Sequence, residues 1–153
     1  VKNFYQICGA LEGSVVTSVF DRFDGRHIAV MRQLNSEMRA AVHREEFDTY
    51  YKLNIQFHDV FLNLSDNPMI RTMLMPLKRR LYDFQRRPYV KEWELRNTQE
   101  HDQFIDSIKA RDLADAVRML RDVHWSFSEQ EEYIRAFHQR DAEANRSRNA
   151  PSP

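Results

Sequence analysis

The residues best equipped for chemistry are histidines that interrupt apolar helical stripes. Around "NIQFHDVF", residues 54–61, Tyr50, Phe57, Phe61 and Leu64 recur at helical spacing, and Asn54 and His58 fall on the same stripe. His101 precedes Phe104, Ile105 and Ile108 on another stripe, and His124 lies between Leu120 and Phe127 on a third. A buried polar group left unpaired costs about 1–3 kcal/mol, so a lone inward histidine is ordinarily a core residue bonded to its neighbours. Three from separate helices, with an amide one turn from His58, share an explanation in a divalent metal, which satisfies a nitrogen of each ring at once. Residues four apart on a helix point the same way, so Asn54 and His58 can face one ion together. His27 at a helix start, His43 beside "REE" and His138 at the edge of the tail read as solvated side chains.

These residues need helices to hold them, and the apolar spacing predicts six. The first carries Phe4, Ile7, Cys8, Leu11, Val15 and Val19 and ends near "DRFDG". The second follows Gly25 with Ile28, Met31, Leu34, Met38 and Val42, and the third starts near Glu46. "SDNP" breaks the third; Asp66 or Asn67 can cap the fourth, with Pro68 in its first turn and a kink expected at Pro76. "QRRPYVKEW" reads as a connection. The fifth helix runs from about Glu92 to Ala110. Asp112 can cap a sixth that continues through Leu113, Leu120 and Phe127 toward Ile134. Residues 139–153 are polar and aperiodic and are expected to form a disordered tail, leaving 1–138 as one all-helical domain.

Composition agrees. The 153 residues include only 3 Gly and 5 Pro, too little turn chemistry for many short strands. The expected fold is therefore an all-α antiparallel bundle of six to seven helices. A formal net charge of zero offers no basic surface for nucleic acid or anionic lipid. Cys8 is the only cysteine, which excludes an internal disulfide and fits a reducing cytoplasm. No apolar run approaches the roughly 18 residues of a membrane span, and no signal peptide is expected. The chain begins at Val1 rather than Met and is expected to be part of a longer protein.

The order of "N-x-x-F-H" (54–58), "EHDQFIDSIKARDLADAV" (100–117) and "MLRDVH" (119–124) resembles the FCD effector domain. That is the helical sensor of the FadR/VanR branch of GntR-type bacterial transcription regulators. "ALEG" (10–13) is similar to the family's first-helix Leu-Glu signature, and "NLSDNPMI" (63–70) to its Asn-Pro helix junction. The resemblance covers about residues 3–135 and implies a homodimeric regulatory domain, not an enzyme, attached to an N-terminal winged helix-turn-helix that binds operator DNA. It also implies a divalent ion, zinc or nickel, on Asn54, His58, His101 and His124, with a small organic acid as effector. Two positions depart from the family pattern: Asn54 stands where an aspartate is usual, and Cys8 where many members have an arginine.

Arg79, Arg80, Arg86 and Arg87 are candidates to clamp a carboxylate with their planar forks, Arg80 first because it borders the Leu77/Leu81/Phe84 face. Tyr89 and Trp93 can wall a pocket. Asn97, one turn before His101, can meet ligand, and Glu12 can orient an imidazole from behind. Inward carboxylates look scarce. Two other readings remain open: a mononuclear His-ligated metalloenzyme, and a plain helical interaction module whose histidines are core residues.

Overall fold

Long apolar-periodic segments with little glycine leave the chain few options but helices. The computed structural model describes residues 1–85 and 90–148, with only the backbone at 82–85, 137, 138 and 140–148, and it is all-α. The helices are α1 (Lys2–Val19), α2 (Gly25–His43), α3 (Phe47–Leu62), α4 (Pro68–Gln85), α5 (Lys91–Lys109), α6 (Leu113–Arg118) and α7 (Phe127–Arg148). A 3₁₀ turn (Phe20–Arg22) follows α1, and a π-helical segment (Met119–His124) joins α6 toward α7. No helix among the described residues is long and apolar enough to cross a membrane.

Local chemistry sets the boundaries. Asp24 caps α2 by accepting from the N–H groups of Arg26 and His27, while His27 Nδ1 accepts the Asp24 N–H at 3.2 Å. His27 is therefore half of a capping box, not merely a solvated ring. Asn67 accepts from the Met69 N–H at 3.1 Å to start α4, and Asp112 from the Asp115 N–H at 2.9 Å to start α6. After α2 and α5 the chain turns through Glu45 and Arg111 at φ 60° and 59°. Each turn is closed by a bond spanning five residues, Glu46 N–H to Ala41 O at 2.9 Å and Asp112 N–H to Ser107 O at 3.0 Å.

One expectation needs correction. The sixth helix is not continuous to Ile134: it changes to π-helical winding at Met119, and α7 begins afresh at Phe127. The backbone of α7 runs on past 139 to Arg148. Glu, Gln, Ala and Arg in that stretch are good helix formers, and an established helix extends at little cost. Residues 149–153 lie outside the described residues.

The main core gathers Val15, Val16, Phe57, Phe61, Leu74, Phe104, Ile105 and Leu120 from α1, α3, α4, α5 and the π segment. A smaller cluster of Met38, Ala41, Val42, Tyr50 and Tyr51 seals α2 against α3. Helices α2 and α5 run antiparallel: Arg32 reaches Asp106 and Asp102, and Arg39 also reaches Asp102. Asn35 Nδ2, buried between them, donates to Thr98 O at 2.8 Å and Asp102 Oδ1 at 2.9 Å.

Candidate metal centre

His58 from α3, His101 from α5 and His124 from the π segment meet in the interior. One ring nitrogen of each lies within 4.8 Å of the others, and all three residues are buried. The ring centroids stand 5.3, 5.3 and 4.8 Å apart, close to an equilateral triangle. Phe57 stacks on His101 at 4.0 Å and fixes its plane. Asn54 is also buried, one turn before His58 on the same face of α3.

Every ring is held from behind at Nδ1. His58 Nδ1 lies 2.9 Å from Glu12 Oε2, His124 Nδ1 lies 2.9 Å from Glu100 Oε2, and His101 Nδ1 lies 3.2 Å from Asn35 Oδ1. Because Asn35 Nδ2 already donates twice, its oxygen is the end that faces His101. Carboxylates and amide oxygens only accept, so each of the three imidazoles carries a proton at Nδ1, which leaves Nε2 as the nitrogen that a neutral ring offers to a ligand. The Nε2 atoms of His58 and His101 are buried without a hydrogen-bond partner. Burial holds His58 down at about 4 and pushes His101 well below the ordinary histidine range, so both are neutral near pH 7. Rings fixed at Nδ1 with their other nitrogens converging are what a cation needs.

The supporting residues form their own network. Glu12 accepts from His58 and, at 2.6 Å, from the Trp125 indole N–H, and it pairs with Lys78. Although desolvation opposes its charge, these partners keep its carboxyl well below the usual range. Glu100 also takes bonds from Arg96 Nε at 2.8 Å and Gln130 Nε2 at 3.0 Å, and Trp93 Nε1 donates to Gln130 at 2.7 Å. Trp93 thus buttresses Glu100 through Gln130.

Other sequence candidates land elsewhere. Arg80 is exposed, its guanidinium 5.3 Å over the Phe4 ring, and Arg79 is exposed too; the buried cation of α4 is Lys78. Asn97 is buried, but its Nδ2 faces Tyr50 Oη and Glu94 Oε2, both at 3.4 Å. Arg86, Arg87 and Tyr89 lie outside the described residues. The expected scarcity of inward carboxylates does not hold: Glu12, Glu94 and Glu100 are all buried. Asn35 between Met31 and Met38, Lys78 between Leu74 and Leu81, and Gln130 between Phe127 and Ile134 were open to the stripe argument that singled out Asn54 and His58. Glu100, beside His101 in sequence, has no comparably clear signal.

The profile of one protein family, described as FCD domain, matches residues 3–126. No curated protein and no solved structure is significantly similar to the chain.

Proposed function

The chain belongs to the family of FCD domains, the effector-binding domains of GntR-family transcription regulators, and from that premise we propose that it senses a small organic acid at a divalent metal ion. His58, His101 and His124 hold the ion, with Asn54 beside them. The observation that carries this reading is the common Nδ1 anchoring of three buried rings whose remaining nitrogens converge. Zinc or nickel suits an imidazole set. When bound, the ion supplies a concentrated positive charge for an anion to meet. Three neutral imidazoles and a neutral amide leave that charge uncancelled, so a carboxylate effector completes the site. The domain works as a homodimer and passes the signal to operator DNA through an N-terminal winged helix-turn-helix domain. Catalysis is a poorer reading, because Glu12 and Glu100 are both occupied by imidazole N–H groups and neither is free as a general base.

Titration calorimetry of chelator-stripped protein tests this. Zinc or nickel is expected to bind at one ion per chain, and His58→Ala, His101→Ala or His124→Ala to abolish or severely weaken binding. Glu12→Gln and Glu100→Gln are expected to weaken it about ten- to hundredfold. Asn54→Asp is expected to tighten it by adding a charged oxygen. Metal affinity indifferent to the three histidines sinks the proposal.

A further inference from the structure

Lys78 is the part of this network that metal binding does not use. It is 1 % exposed, the one buried lysine or arginine among the described residues. An ammonium in the interior is costly unless paired and bonded, and it has three N–H groups to satisfy. Lys78 Nζ pairs with Glu12 Oε1 and has no further hydrogen-bond partner among the described residues. The other Glu12 oxygen is already taken by His58 Nδ1 and Trp125 Nε1. Near Nζ lie the Trp125 ring at 5.6 Å and Cys8, whose thiol burial pushes up to about 12, so that it brings no compensating charge. The position therefore holds a buried cation with unspent donors, one carboxylate away from His58.

We propose that Lys78 is the second anchor of the effector, which is an acid with two separated acceptor groups: one meets the ion at the histidines and the other meets Lys78 Nζ. This rests on the metal-sensing reading. The two positive centres would lie about His58, the ion on its Nε2 side and the ammonium beyond the Glu12 that holds its Nδ1. A monoacid has one charged group to place, whereas a dicarboxylate or a keto or hydroxy diacid can place a second acceptor at Lys78 and gain a charge-assisted bond. The structure thereby assigns to α4 a cation that the sequence places at Arg80.

The test compares acetate, malonate and succinate titrated into the zinc-loaded chain. The better diacid is expected to bind the wild type roughly ten- to hundredfold tighter than acetate, the range of one charge-assisted hydrogen bond. Removing Lys78 alone strands the Glu12 charge, so the variant is Glu12→Gln/Lys78→Met, in which a neutral amide still accepts from His58. Its zinc affinity should match that of Glu12→Gln alone, while the preference for diacid collapses to near that of acetate. A wild type that prefers no diacid, or a double variant that keeps the preference, overturns the role of Lys78. Failure of the wild type to bind zinc overturns the metal reading first, before any acid is added.

Discussion

Glu94 shows how one buried side chain makes stability depend on pH. It is buried beside Tyr50, Tyr51 and Asn97, with Tyr51 Oη donating to it at 3.0 Å. Desolvation outweighs these donors and raises its carboxyl to about 7 from an ordinary 4.5. Between those values the folded chain holds a proton that the unfolded chain has released, so this group's contribution to stability falls as pH rises through the window. A shift of that size corresponds to about 3 kcal/mol. His58 acts with the opposite sign, since burial lowers it from 6.5 to about 4 and acid therefore destabilises the fold across that range. Urea denaturation of chelator-stripped wild type and Glu94→Gln separates the two, because the histidine effect is common to both. The variant is expected to gain on the wild type steadily from about pH 4.5 to about pH 7. A difference that does not change with pH would show that Glu94 stays ionised in the fold.

Among the elements, the π-helical segment matters most for the site. It carries His124, and it ends with the Trp125 N–H bonded to Leu120 O at 3.0 Å, one residue wider than an α-helical bond. Such widened turns re-aim side chains, and here His124 faces the cluster while Trp125 reaches Glu12. Helix α1 packs tightly against the segment at Gly9: a Cβ there would meet Trp125 Cβ at 3.0 Å and Arg121 O at 3.2 Å. At Gly13 the nearest atoms stand 3.6 Å and more away, ordinary contact. Gly9→Ala is therefore expected to displace the segment, lowering both stability and zinc affinity. Gly13→Ala is expected to stabilise by about 0.5–1 kcal/mol through helix propensity, with zinc affinity kept. Denaturation curves paired with zinc titrations check both, and equal behaviour of the two variants would refute the packing argument.

At the scale of the whole molecule, the histidines join α3, α5 and the π segment, with Glu12 of α1 and Asn35 of α2 behind them. An ion at that junction would add a direct tie among α3, α5 and the π segment to the packing and hydrogen bonds that already link them. Metal at about 100 times its dissociation constant should add about 2.7 kcal/mol, or roughly 5–10 °C in melting temperature for a domain of this size. A chelator should remove the gain, and the His58→Ala protein should show none. Thermal melts with and without zinc measure it; an equal shift in His58→Ala would mean that the ion binds elsewhere.

The sequence by itself determined the helical class, the capping residue Asp112, the choice of Asp66 or Asn67 as the other cap, and the inward placement of Asn54, His58, His101 and His124. All of these follow from spacing within a few residues, and helix periodicity is a local property. It also held the stripe positions of Asn35, Lys78 and Gln130, although a single polar residue in a stripe does not name its partner. Only the tertiary structure decided that Glu12 stands behind His58, 46 residues away, and Trp125 against Glu12, 113 residues away. It likewise decided that Lys78, not Arg80, is the buried cation, because the rotation of α4 is set by what α1 presents to it. Which imidazole nitrogen is free depends on those distant acceptors, and distance along the chain carries no trace of proximity in the fold.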